Sequence, residues 1–279
     1  MIGIGFGPSN LALAIALEER GQEHGPLDAL FLDKQADYRW HGNTLVTQSE
    51  LQISFLKDLV TLRNPTSPYS FVNYLKHHGR LVDFINLGTF YPCRMEFNDY
   101  LRWVAGHFQE HSRYGEEVLA IEPVLHNQQV EALRVISRDA QGSELVRTTR
   151  SVVVSAGGTA RVPETFKGLK GDARVFHHSQ YLERMASQPC VSGKPMNIAI
   201  IGGGQSAAEA SSTSTTVSLR CRPTSSCAVR RSSRRMTARS STKCSPRPSP
   251  TWCSSRLAAS ASAWSANTRT PTTRWWTST

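Results

Sequence analysis

Gly3-Ile4-Gly5-Phe6-Gly7-Pro8-Ser9-Asn10 runs directly into the apolar segment Leu11-Ala12-Leu13-Ala14-Ile15-Ala16-Leu17-Glu18. Glycines at alternate positions allow a tight bend and a close backbone approach, and the Leu and Ala that follow are strong helix formers. After a turn at Gly25-Pro26 comes Ala29-Leu30-Phe31-Leu32-Asp33, an apolar strand that ends in an acid. Strand, glycine turn, helix and strand in that order form the first half of a dinucleotide-binding unit. Gly5 and Gly7 fill the first two glycine positions, and Asn10 replaces the third. Asp33 follows Asn10 by 23 residues, close to the ~20 expected for an acid on a ribose hydroxyl. That spacing favours an unphosphorylated adenosine ribose. Parallel strands usually take about five residues; only Met1 and Ile2 precede the glycines, so the strand is expected to begin upstream.

A second start of the same kind lies at Asn197-Ile198-Ala199-Ile200-Ile201-Gly202-Gly203-Gly204-Gln205-Ser206-Ala207-Ala208-Glu209-Ala210. Here Ala207 takes the third position, the commoner choice. Either turn alone is a weak signal, because ordinary α/β connections also use glycines. Two starts about 200 residues apart suggest two nucleotides, one for each unit, and an α/β chain with two Rossmann-like domains. Between them, residues 34–110 read as loop-rich with short helices at 71–75 and 99–104. Alternating apolar residues near 117–124, 132–137 and 150–155 read as strands.

The chain has 279 residues and a net charge of +10, but the average conceals two compositions. Residues 211–279 hold eleven Arg, one Lys, no acid, and 31 Ser or Thr. The first 210 residues hold 20 basic and 22 acidic groups, a net of −2, and all 19 glycines. Any partner inferred from the overall charge would therefore be wrong. No apolar run approaches the roughly 18–20 residues of a membrane-spanning helix, and no basic segment with an apolar stretch marks a secretion signal, so a cytoplasmic location is expected. Cys93, Cys190, Cys221, Cys227, Cys244 and Cys253 lack metal-like spacing. His177-His178 reads as a loop rather than a metal pair, since adjacent residues point in different directions. No metal site is expected.

The order of motifs resembles the flavin-dependent N-hydroxylating monooxygenases of siderophore biosynthesis, in particular the bacterial L-ornithine N5-monooxygenases. The resemblance rests on Gly5 to Asn10, on Tyr38-Arg39-Trp40-His41, on Leu51-Gln52-Ile53-Ser54-Phe55-Leu56-Lys57-Asp58-Leu59, and on Arg63-Asn64-Pro65-Thr66-Ser67-Pro68-Tyr69-Ser70-Phe71. It continues through Tyr91-Pro92-Cys93-Arg94-Met95-Glu96-Phe97 to Gly203-Gly204-Gln205-Ser206-Ala207-Ala208-Glu209. It implies an FAD domain carrying an inserted NADPH domain, a homo-tetramer, and NADPH- and FAD-dependent use of O2 to hydroxylate the unprotonated side-chain amine of L-ornithine. The flavin carries the chemistry, so no protein group is expected to act as a catalytic residue. By the resemblance, Asp33, Lys34, Gln35, Ala36, Asp37, Tyr38, Arg39, Trp40 and His41 line the FAD together with Gly5, Gly7, Pro8, Ser9, Asn10 and Gln52, and Val118 touches it. Lys57 holds the substrate carboxylate, and Gly202, Gly203, Gly204, Gln205 and Ser206 contact NADPH. Without the resemblance, Lys57 reads as a surface charge, and Trp40 and His41 as packing residues. A lysine N6-hydroxylase or a Baeyer–Villiger-like enzyme of similar build remains an alternative.

Residues 1–195 are assigned to the FAD-binding domain, 196–210 to the start of the NADPH-binding domain, and 211–279 to a basic tail. Ser211-Ser212-Thr213-Ser214-Thr215-Thr216 are poor helix formers, so the second helix is expected to break at 211. The tail reads as coding DNA in a displaced frame. Arg274-Trp275-Trp276-Thr277 can be encoded by a sequence whose shifted frame spells Val-Val-Asp, and Ser211 to Thr215 by one that spells Phe-Ile-Asp-Leu-Asn. Such a tail should be disordered, and the chain should retain FAD weakly and lack activity. The alternative is a nucleic-acid-binding arm with Trp252, Trp264, Trp275 and Trp276 among its charges. No specific nucleic acid is expected, only salt-sensitive, non-specific binding.

Overall fold

The computed structural model describes residues 1–25, 28–46, 49–169, 171–189, 196–217 and 221–226. The far side of the turn expected at Gly25-Pro26, and the tail from residue 227 onward, lie outside the described residues.

Strand β1 (Ile2–Ile4) turns through the glycines into helix α1 (Pro8–His24) and returns as β2 (Leu30–Asp33). Strand β1 is three residues long and pairs parallel on both sides, with β2 and with β7 (Val152–Val154). Strand β3 (Ser112–Tyr114) adds to β2, giving a four-stranded parallel sheet in the order β3-β2-β1-β7. Between β2 and β3 lie the short helices α2 (Phe71–His77) and α3 (Leu81–Asn86) and the longer α4 (Arg94–Gly106). The main core is aromatic: Phe6, Phe31, Phe71, Phe97, Tyr100 and Leu101 pack between α1, α4 and the sheet.

A meander of β4 (Glu117–His126), β5 (Gln129–Arg138) and β6 (Glu144–Thr149) forms a separate antiparallel sheet. It fastens to the first sheet through Ile2, Leu32 and Val135, with Val118 and Val152 packed against them. After the short helix α5 (Tyr181–Ala186), β8 (Met196–Ile201) leads through the second glycine turn into α6 (Gln205–Val217). Strand β9 (Cys221–Ser226) pairs parallel with β8.

The helix does not break at Ser211. It runs through the Ser/Thr segment to Val217, and the chain then returns as a strand beside β8. Part of the reason is visible at its middle. Ala210 is buried against Val46, Tyr181 and Met185, the Tyr181 hydroxyl donates to the Ala210 carbonyl at 3.2 Å, and the Thr213 hydroxyl bonds back to the Glu209 carbonyl at 2.8 Å. Tertiary contact outweighs low intrinsic propensity, as it commonly does. The strands expected in the middle of the chain are present, and β3 and β6 are additional to them. No described helix is long and apolar enough to cross a membrane.

Candidate functional site: a cleft beside the second glycine turn

The first glycine turn is held by contacts that the missing third glycine foreshadows. Gly5 has φ +81°, and a Cβ there would lie 2.5 Å from the Ser155 carbonyl oxygen, so only glycine fits. Asn10 is 1% exposed; its amide donates to the Gly5 carbonyl at 2.6 Å and its Oδ1 accepts from the Ser155 hydroxyl at 3.2 Å. Asn10 thereby ties the turn to the end of β7. Gly3 is also confined, since a Cβ there would clash with the ring of Phe31, its partner on β2. Gly7 caps α1 without any side-chain hydrogen bond, and space is open beside it. The positive end of a 17-residue helix therefore faces the space above the turn, as a pyrophosphate requires.

Asp33 closes the same turn from below. Its carboxylate is buried and accepts from the Phe6 amide at 2.7 Å and the Gln35 amide at 2.9 Å. A carboxylate has about four lone-pair sites, so acceptor capacity remains for a ribose hydroxyl. Nearby, the hydroxyls of Tyr38 and Tyr114 are buried without a hydrogen-bond partner. Burial above all pushes both phenols well above their ordinary range, helped at Tyr38 by Tyr114 and Asp33 and at Tyr114 by Asp33 and Asp37. Orphaned donors beside an acid with spare lone pairs fit an adenosine at this end of the sheet.

Helix α4 carries the 33–41 segment. Asn98 Oδ1 accepts from the Trp40 amide at 2.9 Å, Arg102 donates to the Tyr38 carbonyl at 3.1 Å, and the Phe97 ring meets Trp40 edge-on. Lys34, Gln35, Ala36 and Arg39 are exposed, and Arg39 pairs with Asp37 at 2.7 Å. His41 is left-handed at φ 54°. Partial desolvation first, then the nearby Arg94 and His178, holds its imidazole below the usual range.

The second turn leads into α6, whose first residues line a cleft. Gly202 has φ +147°, and Gly204 has open space where a side chain would be. Trp40, Leu51 and Gln52 form one wall of a cleft of about 240 Å³, and Gln205, Ser206 and Glu209 form the other. Glu50 and Arg94 complete its lining. The structure thus brings Trp40, Gln52, Gln205 and Ser206 of the expected site into one cleft. Val118 lies elsewhere, on the meander against Ile2 and Leu32.

Lys57 does not line the cleft. It ends a 3-10 turn, Phe55–Lys57, and its side chain is exposed. Its loop is well fixed. The Asp58 carboxylate accepts from the amides of Val60, Thr61 and Phe71 at 2.7–3.0 Å and from the Thr61 hydroxyl at 2.9 Å. Ser54 caps the turn, and the Tyr100 hydroxyl accepts from the Leu59 amide at 3.3 Å while donating to Tyr69. The sequence reading assigned no role to Arg94, Asn98, Arg102 or Asp58. Arg94 and Asp58 stand within the motifs that carry the resemblance, whereas Asn98 and Arg102 gave no signal, because the contacts that matter here reach partners 13 to 115 residues away.

Two glycine turns, each at the start of a helix, define a two-dinucleotide α/β protein of the flavin monooxygenase type. Residues 1–243 match the family model for L-lysine 6-monooxygenase/L-ornithine 5-monooxygenase, and the chain belongs to that family. It is 81% identical over 210 residues to L-ornithine N(5)-monooxygenase of Pseudomonas aeruginosa, a match covering 75% of this chain and 47% of that protein. Among solved structures it is similar to ornithine hydroxylase (PvdA) from Pseudomonas aeruginosa, with a TM-score of 0.76 at 73% identity, covering 81% of this chain and 53% of that one. The Kutzneria sp. 744 ornithine N-hydroxylase with reduced FAD, NADP+ and L-ornithine gives 0.73 at 34% identity, covering 81% and 52%. The chain spans about half the length of these relatives.

Proposed function

We propose that the chain carries the FAD-binding part, and the opening of the NADPH-binding part, of an enzyme that hydroxylates the side-chain amine of L-ornithine with NADPH and O2. The observation that carries this reading is the cleft with Trp40 and Gln52 on one side and Gln205 and Ser206, directly after the second glycine turn, on the other, since hydride transfer requires two dinucleotides face to face. Support for ornithine over lysine comes from the 81% identical relative.

In this reading Gly5, Gly7 and the open end of α1 receive the FAD pyrophosphate, and Asp33 accepts from the adenosine ribose with Tyr38 beside it. Trp40 and Gln52 flank the inner end of the cofactor. Gly202 to Ser206 meet the second dinucleotide from the opposite wall. Lys57 offers a point charge to the substrate carboxylate, on a loop that Asp58 keeps rigid. Bound flavin supplies oxygen activation and transfer; the protein positions the partners and keeps water away.

The test is titration of the purified 279-residue chain with FAD, followed by flavin fluorescence. Saturable binding is expected, weakened at least about tenfold by Gly5→Ala, which strains the turn without removing any polar group. An FAD affinity indifferent to Gly5→Ala overturns the assignment of the first site. Tighter binding of lysine than of ornithine by the FAD-loaded chain overturns the substrate.

A further inference from the structure

Arg94 opens α4, and Glu209 lies one turn into α6, 115 residues later in the chain. Their side chains meet at 2.9 Å and are 13% and 12% exposed. The second oxygen of Glu209 accepts from the Gln205 side-chain Nε2 at 2.7 Å, and Gln205 is the first residue of α6, directly after the glycines. On its other side the Arg94 guanidinium lies 5.5 Å from the centre of the Trp40 ring. The Arg94 backbone amide donates to Ser49 at 2.9 Å, and Gln205 also reaches the Glu50 carbonyl at 3.5 Å. An unbroken series of polar and cation–π contacts therefore joins Trp40 on the first wall to Gln205 on the second.

Helix electrostatics does not explain why Arg94 is there. A cation at the first position of a helix opposes the macrodipole. Arg94 is stabilised instead by Glu209 and Trp40, both across the cleft lining. Charge-assisted bonds held away from water are directional and resist stretching, and they fix the spacing of whatever they join.

Resting on the functional reading above, we propose that Arg94 and Glu209 form a positioning clamp that sets the distance between the Trp40 wall of the cleft and the second glycine turn. Occupation of one site by its dinucleotide is then felt at the other, because Trp40 and the second glycine turn draw on the same ion pair. Neither residue exchanges atoms with a substrate; they act through Trp40 and Gln205.

The experiment measures the dissociation constant of FAD for the 279-residue chain with and without saturating NADP+, using flavin fluorescence, and of NADP+ with and without FAD. In the wild-type chain each ligand is expected to tighten the other about tenfold, within the usual range of coupling. Glu209→Gln and Arg94→Gln should each reduce that factor below about twofold, and the exchanged pair Arg94→Glu with Glu209→Arg should restore part of it. Glu209→Asp, a shorter acid with unchanged charge, guards against misfolding of the other variants, checked by far-ultraviolet circular dichroism. It should give an intermediate factor, since the charge remains but the reach does not. Coupling unchanged in every folded variant, or absent in a wild-type chain that binds both ligands, overturns the clamp and leaves the functional reading intact. A wild-type chain that binds neither ligand overturns both.

Discussion

Asn10 and Asp58 illustrate how single polar side chains shape this site. Asn10 stands where a third glycine is usual and bonds both Gly5 and Ser155, so the turn is tied to β7 rather than merely packed against α1. Asp58 collects four donors and thereby sets the loop that presents Lys57. Asp58→Ala should cost about 2–3 kcal/mol in urea unfolding, because amides near the protein interior lose an ionised acceptor. Trypsin should also cleave faster after Lys57 and Arg63. Gly5→Ala should cost about 1–3 kcal/mol, since φ +81° and the Ser155 carbonyl both oppose a side chain. Equal unfolding midpoints for variant and wild type would count against each account. The glycines and Asp33 were legible in the sequence because their spacing is local. The role of Asp58 was not legible in the same way, since Phe71 is brought to it only by the fold.

At the scale of elements, α6 is the instructive case. Its serines and threonines compete with the helix for backbone hydrogen bonds, and a reading by propensity ends it at 210. The helix persists because Ala210 is buried and its carbonyl is met by Tyr181 from α5. Tyr181→Phe should therefore destabilise the chain by about 1 kcal/mol, with faster amide hydrogen exchange concentrated in α6. Exchange that rises evenly across the molecule would show that the hydroxyl does not anchor this helix. Strands β3 and β6 escaped the sequence reading for a related reason. Strand β3 is only three residues long, too short for alternation to register, and it exists because β2 offers it an edge.

For the molecule as a whole, protonation links distant parts. His41, His107 and His178 all have imidazole pKa values held below the ordinary 6.5, by desolvation first in each case. For such groups the folded state binds fewer protons than the unfolded state below pH 6.5. Their stability contribution is thus fully present above 6.5 and is lost as pH falls through the folded values. Unfolding midpoints should drop on acidification from pH 7 to 5, and His107→Gln should flatten that slope; a slope of opposite sign would refute the linkage. The +12 charge of residues 211–279, joined to a net −2 in the rest, predicts salt-sensitive, non-specific retention on RNA. That retention should vanish in a chain ending at Ser226, and persistence there would place the binding elsewhere.

The sequence by itself determined the class of fold, through two glycine turns in strand–helix contexts and an acid at the end of β2, because these depend on spacing over a few residues. It also determined the family, since ordered motifs over 210 residues carry that information without coordinates. Only the tertiary structure decided which wall faces which, and which residues hold the walls apart. Arg94 and Glu209 are 115 positions apart, and no local pattern pairs them. Their meeting follows from how α4 and α6 pack around the cleft, and long-range packing of this kind is what short-range periodicity cannot encode.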